Sequence, residues 1–197
     1  MSEEKIPKGK LIVITGPSGV GKGTLVSELI KKIPDLFLSI SATTRTPRPH
    51  ELEGKSYFFM NEEDFLDLAN NDGMLEYFEV YGDLKGTPKG PIESHIENGQ
   101  SVVLELDVQG ALKIKEIFPK AFLIFIKAPS EEVQRRRLLQ REDPTMTPES
   151  LDKRLAAAAE EEKLIPKFSA MVINDDLARA LSELNAIVKD HISKISA

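Results

Sequence analysis

The residues with the clearest chemical purpose are Gly16, Pro17, Ser18, Gly19, Val20, Gly21, Lys22, Gly23 and Thr24, the run GPSGVGKGT. Its glycines let the backbone turn tightly enough to aim several N–H groups at one point. A helix opening near Lys22 adds its positive end, so the run suits an anion held by main chain. Lys22 would reach the outer phosphates of a nucleoside triphosphate as a point charge. The spacing departs from GxxxxGK[ST] at one place: Gly23 stands where a metal-binding hydroxyl is expected, and Thr24 follows it. The competing account is a plain glycine turn whose lysine lies along the surface.

Further groups of residues have types and spacings that suit phosphate chemistry. Arg45 and Arg48, three apart between prolines in SATTRTPRPH, form two guanidinium forks able to grip a phosphate bidentately, with the Tyr57 hydroxyl downstream as a further donor. A solvated basic loop is the alternative. In MLEYFEVY (74–81) acids alternate with apolar residues, and a carboxylate facing inward would accept from the N1–H and 2-amino groups of guanine, which adenine lacks. A glutamate on the wet face of a strand is the plainer reading. The run VVLELD (102–107) ends a buried-type strand on Glu105 and Asp107, where an open parallel sheet presents its ligands. Asp107 suits magnesium held through water or a second substrate, and it equally suits a cap for the helix that follows. Finally, Arg135, Arg136, Arg137 and Arg141 share one helical segment and Arg154 lies on the next. They are either a solvated cationic face or the mobile positive charge that phosphoryl transfer requires.

These residues need a scaffold, and the hydrophobic pattern supplies one. Strand-like runs recur at 11–15, 37–41, 101–106, 121–127 and 171–174, with helix-period segments following the glycine run (ending at Pro34) and at 89–98, 108–117, 130–142, 148–163 and 176–194. That alternation predicts an α/β fold: a mostly parallel central sheet flanked by helices. Residues 41–88 break the rhythm with short strand-like pieces around a helix at 62–71 and are expected to form an inserted lobe. Residues 131–149 form a second break, a small lid ending on Thr147-Pro148-Glu149, a good helix start. The expected division is a domain at 9–190 (core 9–40, 89–130 and 150–190), with tails at 1–8 and 191–197.

Composition narrows the function classes. Hydrophobic residues make up 41% and charged residues 29% of the 197, which is ordinary for a globular chain. A net charge of -6 speaks against non-specific nucleic-acid binding. The absence of cysteine removes disulfides and thiolate zinc sites, and His50, His95 and His191 are too scattered for a metal site. The N-terminus lacks a secretory apolar segment and the longest apolar run, 121–126, is too short to cross a bilayer. A cytoplasmic protein, monomer or homodimer, without nucleic-acid or membrane partners is the expectation.

Taken together, GPSGVGKGT, SATTRTPRPHELEGKSYFF, MLEYFEVYGDLKGTP, VVLELDVQG, RRRLLQR, LDKRLAAA and VINDDL resemble, in order and spacing, the guanylate kinase family over roughly 9–190. The resemblance implies a P-loop kinase that moves the γ-phosphoryl group of ATP to GMP or dGMP with Mg2+. It implies that the loop and Lys22 hold ATP, with Asn174 near the adenine. Arg45, Arg48 and Tyr57 would take the GMP phosphate, and Ser41, Glu76 and Thr87 would read guanine. Glu105 and Asp107 fall to the GMP side, Thr24 and Asp107 to the metal through water, and Lys22, Arg137, Arg141 and Arg154 to the transfer. One departure stands out. Where the family commonly has tyrosine before Gly86-Thr87, this chain has Leu84-Lys85, so that Lys85 supplies the contact, Tyr81 reaches in, or the contact is missing. The acceptor is a phosphate oxygen that is largely ionised near neutral pH, so no general base is expected. Two rivals are a peptide-binding scaffold module without chemistry and a nucleoside monophosphate kinase of other base specificity.

Overall fold

The computed structural model describes residues 9–80, 82–140 and 146–194. Five parallel strands form the main sheet: β1 (Leu11–Thr15), β2 (Phe37–Leu38), β7 (Val102–Glu105), β8 (Phe122–Lys127) and β9 (Ala170–Ile173), in the order β2-β7-β1-β8-β9. β1 lies at the centre and every one of its residues is buried, which is why LIVIT reads as an unbroken apolar run rather than an alternating one. α1 (Lys22–Lys32) and α7 (Leu177–Ser193) cover one face, where Leu25, Val26 and Leu29 meet Ala180, Leu184 and Val188. α3 (Lys89–Glu97) and α4 (Val108–Ile117) cover the other, through Ile92, Ala111 and Ile114.

A second sheet is built from residues between 42 and 88, where an inserted lobe is expected from the sequence. Its strands are β3 (Ala42–Thr43), β4 (Phe58–Phe59), β5 (Met74–Val80) and β6 (Asp83–Pro88), in the order β4-β3-β6-β5, with α2 (Glu62–Asn70) packing Phe65 against Ala42 and Met74. Two strands differ from the sequence reading. The run 37–41 is a main-sheet strand only over Phe37–Leu38, with one further bond from the Ser39 N–H to the Val103 carbonyl, and Ala42–Thr43 belongs to the second sheet. β6 is absent from the periodicity because DLKGTP has neither alternation nor β-branched density; antiparallel pairing with β5 and β3 makes it a strand.

α5 (Glu131–Leu139) ends earlier than the expected 142. α6 (Pro148–Glu162) starts as its sequence demands, with Thr147 and Ser150 in a reciprocal capping box and proline in the first turn. Leu138 of α5 packs with Leu151 and Leu155 of α6 in a small core of its own. Among the described residues no helix is long and apolar enough to cross a membrane.

Candidate active site

Parallel strands deliver their carboxyl ends to one edge of the sheet, and that edge gathers the candidate residues. β1 runs directly into the glycine loop, and β7, paired beside it with Ile14 opposite Glu105, brings Glu105 and Asp107 alongside. β9 is followed by Asn174, whose N–H bonds to the Lys127 carbonyl at the end of β8. The loop therefore sits where neighbouring strands converge.

Its backbone needs glycine for two reasons. Gly16 has φ +143° and a Cβ there would lie 2.1 Å from the Ile126 carbonyl oxygen; Gly21, the N-cap of α1, has φ +89° and a Cβ would meet Asn174 Nδ2 at 2.5 Å. The loop is thus laid against β8 on one side and Asn174 on the other. Asn174, 5% exposed, donates from Nδ2 to the Val20 carbonyl at 2.8 Å, so it braces the loop it adjoins. Lys22 Nζ turns back to donate to the carbonyls of Gly16 and Pro17, the latter at 3.0 Å. Burial brings Lys22 down to about 8; Lys85 pushes the same way, and Glu105, Glu161 and Asp107 oppose it.

Helix α5 is seated on this loop. Gln134, 3% exposed, donates from Nε2 to the Ser18 carbonyl at 2.7 Å, Arg137 donates to the Val20 carbonyl at 3.3 Å, and Leu138 fills the space a side chain on Gly19 would need. Arg137 is therefore beside the loop, as its candidate role requires. Arg154 is buried at 8%. Arg141 lies outside the described residues.

The second sheet brings Glu76 to the start of α4. β5 alternates so that Met74 and Glu76 turn inward, and β5 packs on α4. Glu76, 7% exposed, accepts a hydrogen bond from Thr87 Oγ1, its register partner on β6. Burial raises Glu76 to about 7, helped by Asp107 and opposed by Thr87 and Lys85. Ser41, also buried at 8%, precedes β3 in the same lobe. Asp107 takes one of its expected parts, the N-cap of α4, with Oδ1 accepting from Gly110 N at 2.8 Å, and its carboxylate and that of Glu76 both border Gly110. A Cβ on Gly110 would lie 3.3 Å from Asp107 Oδ1 and 3.4 Å from Glu76 Oε2, so that glycine is what lets two carboxylates share the helix terminus.

Arg45 and Arg48 converge as the sequence suggests, but on a residue it did not single out. Glu51 accepts from Arg45 Nη2 through both oxygens, at 2.9 and 2.8 Å, and from the Arg48 N–H at 2.7 Å, with Arg48 Nη1 3.7 Å away. Burial would raise Glu51, yet the Arg48 N–H and the Arg45 guanidinium outweigh it and hold the carboxyl below its ordinary range. The ring of Tyr57 has Arg45 Cζ 5.6 Å and Lys85 Nζ 5.5 Å from its centroid. Tyr81 lies outside the described residues.

Four residues of the site went unremarked in the sequence reading: Glu51, Gln134, Gly110 and Glu161. Glu161, within a run that reads only as strong helix former, is half-buried, and burial raises it while Lys22 holds it down. Helical spacing held a signal for two of them, since Gln134 precedes Arg137 by three and Glu161 follows Arg154 by seven, whereas Glu51 lies outside any helix.

Magnesium can be tested against this donor set. Thr24, at the opening of α1, and Glu105 and Asp107 are hard oxygen donors, and a Cβ added at Gly23 would lie 3.6 Å from a Glu105 carboxylate oxygen. Among the described residues no three acidic or imidazole groups are close enough together to hold an ion directly. A small cation that keeps most of its water suits that arrangement.

Comparison with known proteins points to one family. The family model described as guanylate kinase matches residues 8–191. The guanylate kinase of Caldanaerobacter subterraneus subsp. tengcongensis is 49% identical over 181 residues, covering 92% of this chain and 87% of that protein. The guanylate kinase of a Synechocystis strain is 47% identical, covering 92% and 94%. The crystal structure of guanylate kinase from Anaplasma phagocytophilum superposes with a TM-score of 0.80 at 31% identity, covering 95% of this chain and 88% of that one.

Proposed function

The chain belongs to the guanylate kinase family and is an enzyme of ATP-dependent GMP phosphorylation, and we propose that its site residues divide that work between a donor half and an acceptor half. The observation that carries the proposal is the placement of a phosphate loop and of a buried, hydroxyl-bonded glutamate on opposite sides of one acidic strand end.

In the donor half, the loop N–H groups and Lys22 take the ATP phosphates, and Lys22 exchanges its bonds to the Gly16 and Pro17 carbonyls for phosphate oxygens. Asn174 stands at the adenine end. In the acceptor half, Glu76 and Thr87 with Ser41 read guanine, and dGMP shares that base. Arg45, Arg48 and Tyr57 hold the phosphate. No base is needed, because the acceptor oxygen carries no proton once its second ionisation, with a pKa of about 6, is complete. Arg137, Arg141 and Arg154 neutralise charge on the transferring group, with Arg137 already placed on the loop. Lobe 41–88 and lid 131–149 are the parts that close over core 9–40, 89–130 and 150–190 to keep water out. Thr24 and Asp107 would hold Mg2+ through water. When bound, that ion supplies positive charge to the triphosphate oxygens. The cytoplasm, as monomer or homodimer, is the setting we propose.

One ADP-release assay with GMP, dGMP, AMP, CMP and UMP as acceptors tests the reading. Turnover with GMP and dGMP, and at least about 100-fold less kcat/KM with AMP, is the expected result. Equal use of AMP would remove Glu76 as the base reader, and no turnover with any acceptor would favour a scaffold module.

A further inference from the structure

The ammonium of Lys85, on a half-buried residue, has no counter-ion among the described residues. Its Nζ has neither a hydrogen-bond acceptor nor a carboxylate within ion-pair distance there; its contact is the Tyr57 ring at 5.5 Å. Arg45 lies 5.6 Å from the same ring, so two cations converge on one aromatic side chain and repel each other. Arg45 is balanced by Glu51, and Lys85 is not. Lys85 is also on the functional side of its strand. It is two residues before Thr87 on β6, so both side chains leave the same face, about 7 Å apart along the strand, while Leu84 packs into the lobe core. Thr87 marks the base-reading end through Glu76.

Resting on the proposed GMP reading, we infer that Lys85 sets the charge of the acceptor-phosphate subsite and makes it selective for the doubly ionised phosphate of a nucleoside monophosphate. Arg45 commits its fork to both oxygens of Glu51, so much of its charge is already offset within the protein. Lys85 adds a positive charge beside it that no carboxylate in ion-pair range offsets, and the second negative charge of the phosphate dianion near neutral pH is its natural partner. Burial works against the charge of Lys85, but Tyr57, Asp107, Glu105 and Glu76 outweigh it and keep the ammonium protonated above the ordinary lysine range. Lysine therefore does with charge what a hydroxyl at this position would do with a neutral hydrogen bond.

The test separates phosphate binding from packing. In wild type, Lys85→Met and Lys85→Arg, one measures KM for GMP and the inhibition constant of guanosine, which carries the base and no phosphate. Lys85→Met is expected to raise KM for GMP by about 10- to 100-fold, more than it lowers kcat, with guanosine inhibition within about twofold of wild type; Lys85→Arg restores KM to within about fivefold. If GMP and guanosine weaken together, or if KM for GMP is unchanged in Lys85→Met, the inference is overturned while the kinase reading stands. A wild-type chain that does not phosphorylate GMP overturns both. Should Lys85→Met not fold, Lys85→Gln, with a polar tip at this half-buried position, is read against the same outcomes.

Discussion

Replacing Glu76 by glutamine should make the protein more stable at alkaline pH and less selective as an enzyme. Glu76 is raised from 4.5 to about 7, first because it is buried. A carboxyl whose folded pKa exceeds its unfolded one binds more protons in the folded state between the two values, so stability falls as pH rises through that window. At about 1.4 kcal/mol per pKa unit, the shift corresponds to about 3 kcal/mol lost by pH 8 and regained near pH 5. The glutamine of the variant cannot titrate, and it keeps an oxygen for Thr87 Oγ1. Urea unfolding of both proteins at pH 5 and pH 8 isolates this group, because all other titrations cancel in the difference. The variant should gain about 2–3 kcal/mol on wild type between those two pH values. A difference independent of pH, or one that moves in favour of wild type as pH rises, would refute the reasoning. The functional arm runs the other way: a neutral amide loses the charge-assisted bonds to guanine, and the ratio of kcat/KM for GMP over AMP should fall by at least about tenfold.

Three other perturbations probe neighbouring parts of the site. Arg137→Ala should lower kcat by about 100-fold or more with an unchanged far-UV spectrum and melting temperature within about 3 °C, since its one described bond is to the Val20 carbonyl at 3.3 Å; wild-type turnover would remove it from the transfer step. Glu51→Gln leaves two half-buried guanidinium groups without their shared carboxylate and should cost about 1–2 kcal/mol in urea unfolding at pH 7. That loss should shrink as pH falls through the depressed pKa of Glu51, because a low folded pKa adds stability only above it. Gly110→Ala places a methyl 3.3 and 3.4 Å from Asp107 and Glu76 and should raise KM for GMP several-fold while leaving KM for ATP within about twofold; equal effects on both would show a general collapse of the helix terminus.

The main sheet was legible because its strands are buried on both faces, and a strand such as LIVIT or FLIFIK shows this directly in composition. The lobe was harder to read. β3 and β4 are two residues each, and β6 contains glycine and proline, so their existence depends on partners distant in the chain rather than on local preference. The site divided along the same line. The loop could be read from its own spacing because strand, turn and helix are contiguous. Glu51 could not, since an acid three residues from an arginine is common on any surface, and only the fold shows both guanidinium groups turned onto it.

Charge balance explains why the acidic and basic residues of this cleft occur in interleaved pairs. Lys22 is half-buried against loop carbonyls with Glu105, Asp107 and Glu161 in electrostatic range, and those carboxylates keep its charge from being lost to burial altogether. Glu76 in turn is held partly ionised by Lys85 and Thr87 against burial and Asp107. On the proposed division of the site, each half thus contains groups that a ligand would displace: carbonyls around the lysine proposed to meet phosphate, and a hydroxyl on the glutamate proposed to meet guanine. On that proposal, two anionic substrates would exchange these internal partners for their own, which costs less than desolvating a bare cation. The same exchange is why a single neutral substitution at Lys85 or Glu76 should shift affinity and pH dependence together, whereas a change in the apolar core beneath them would shift stability alone.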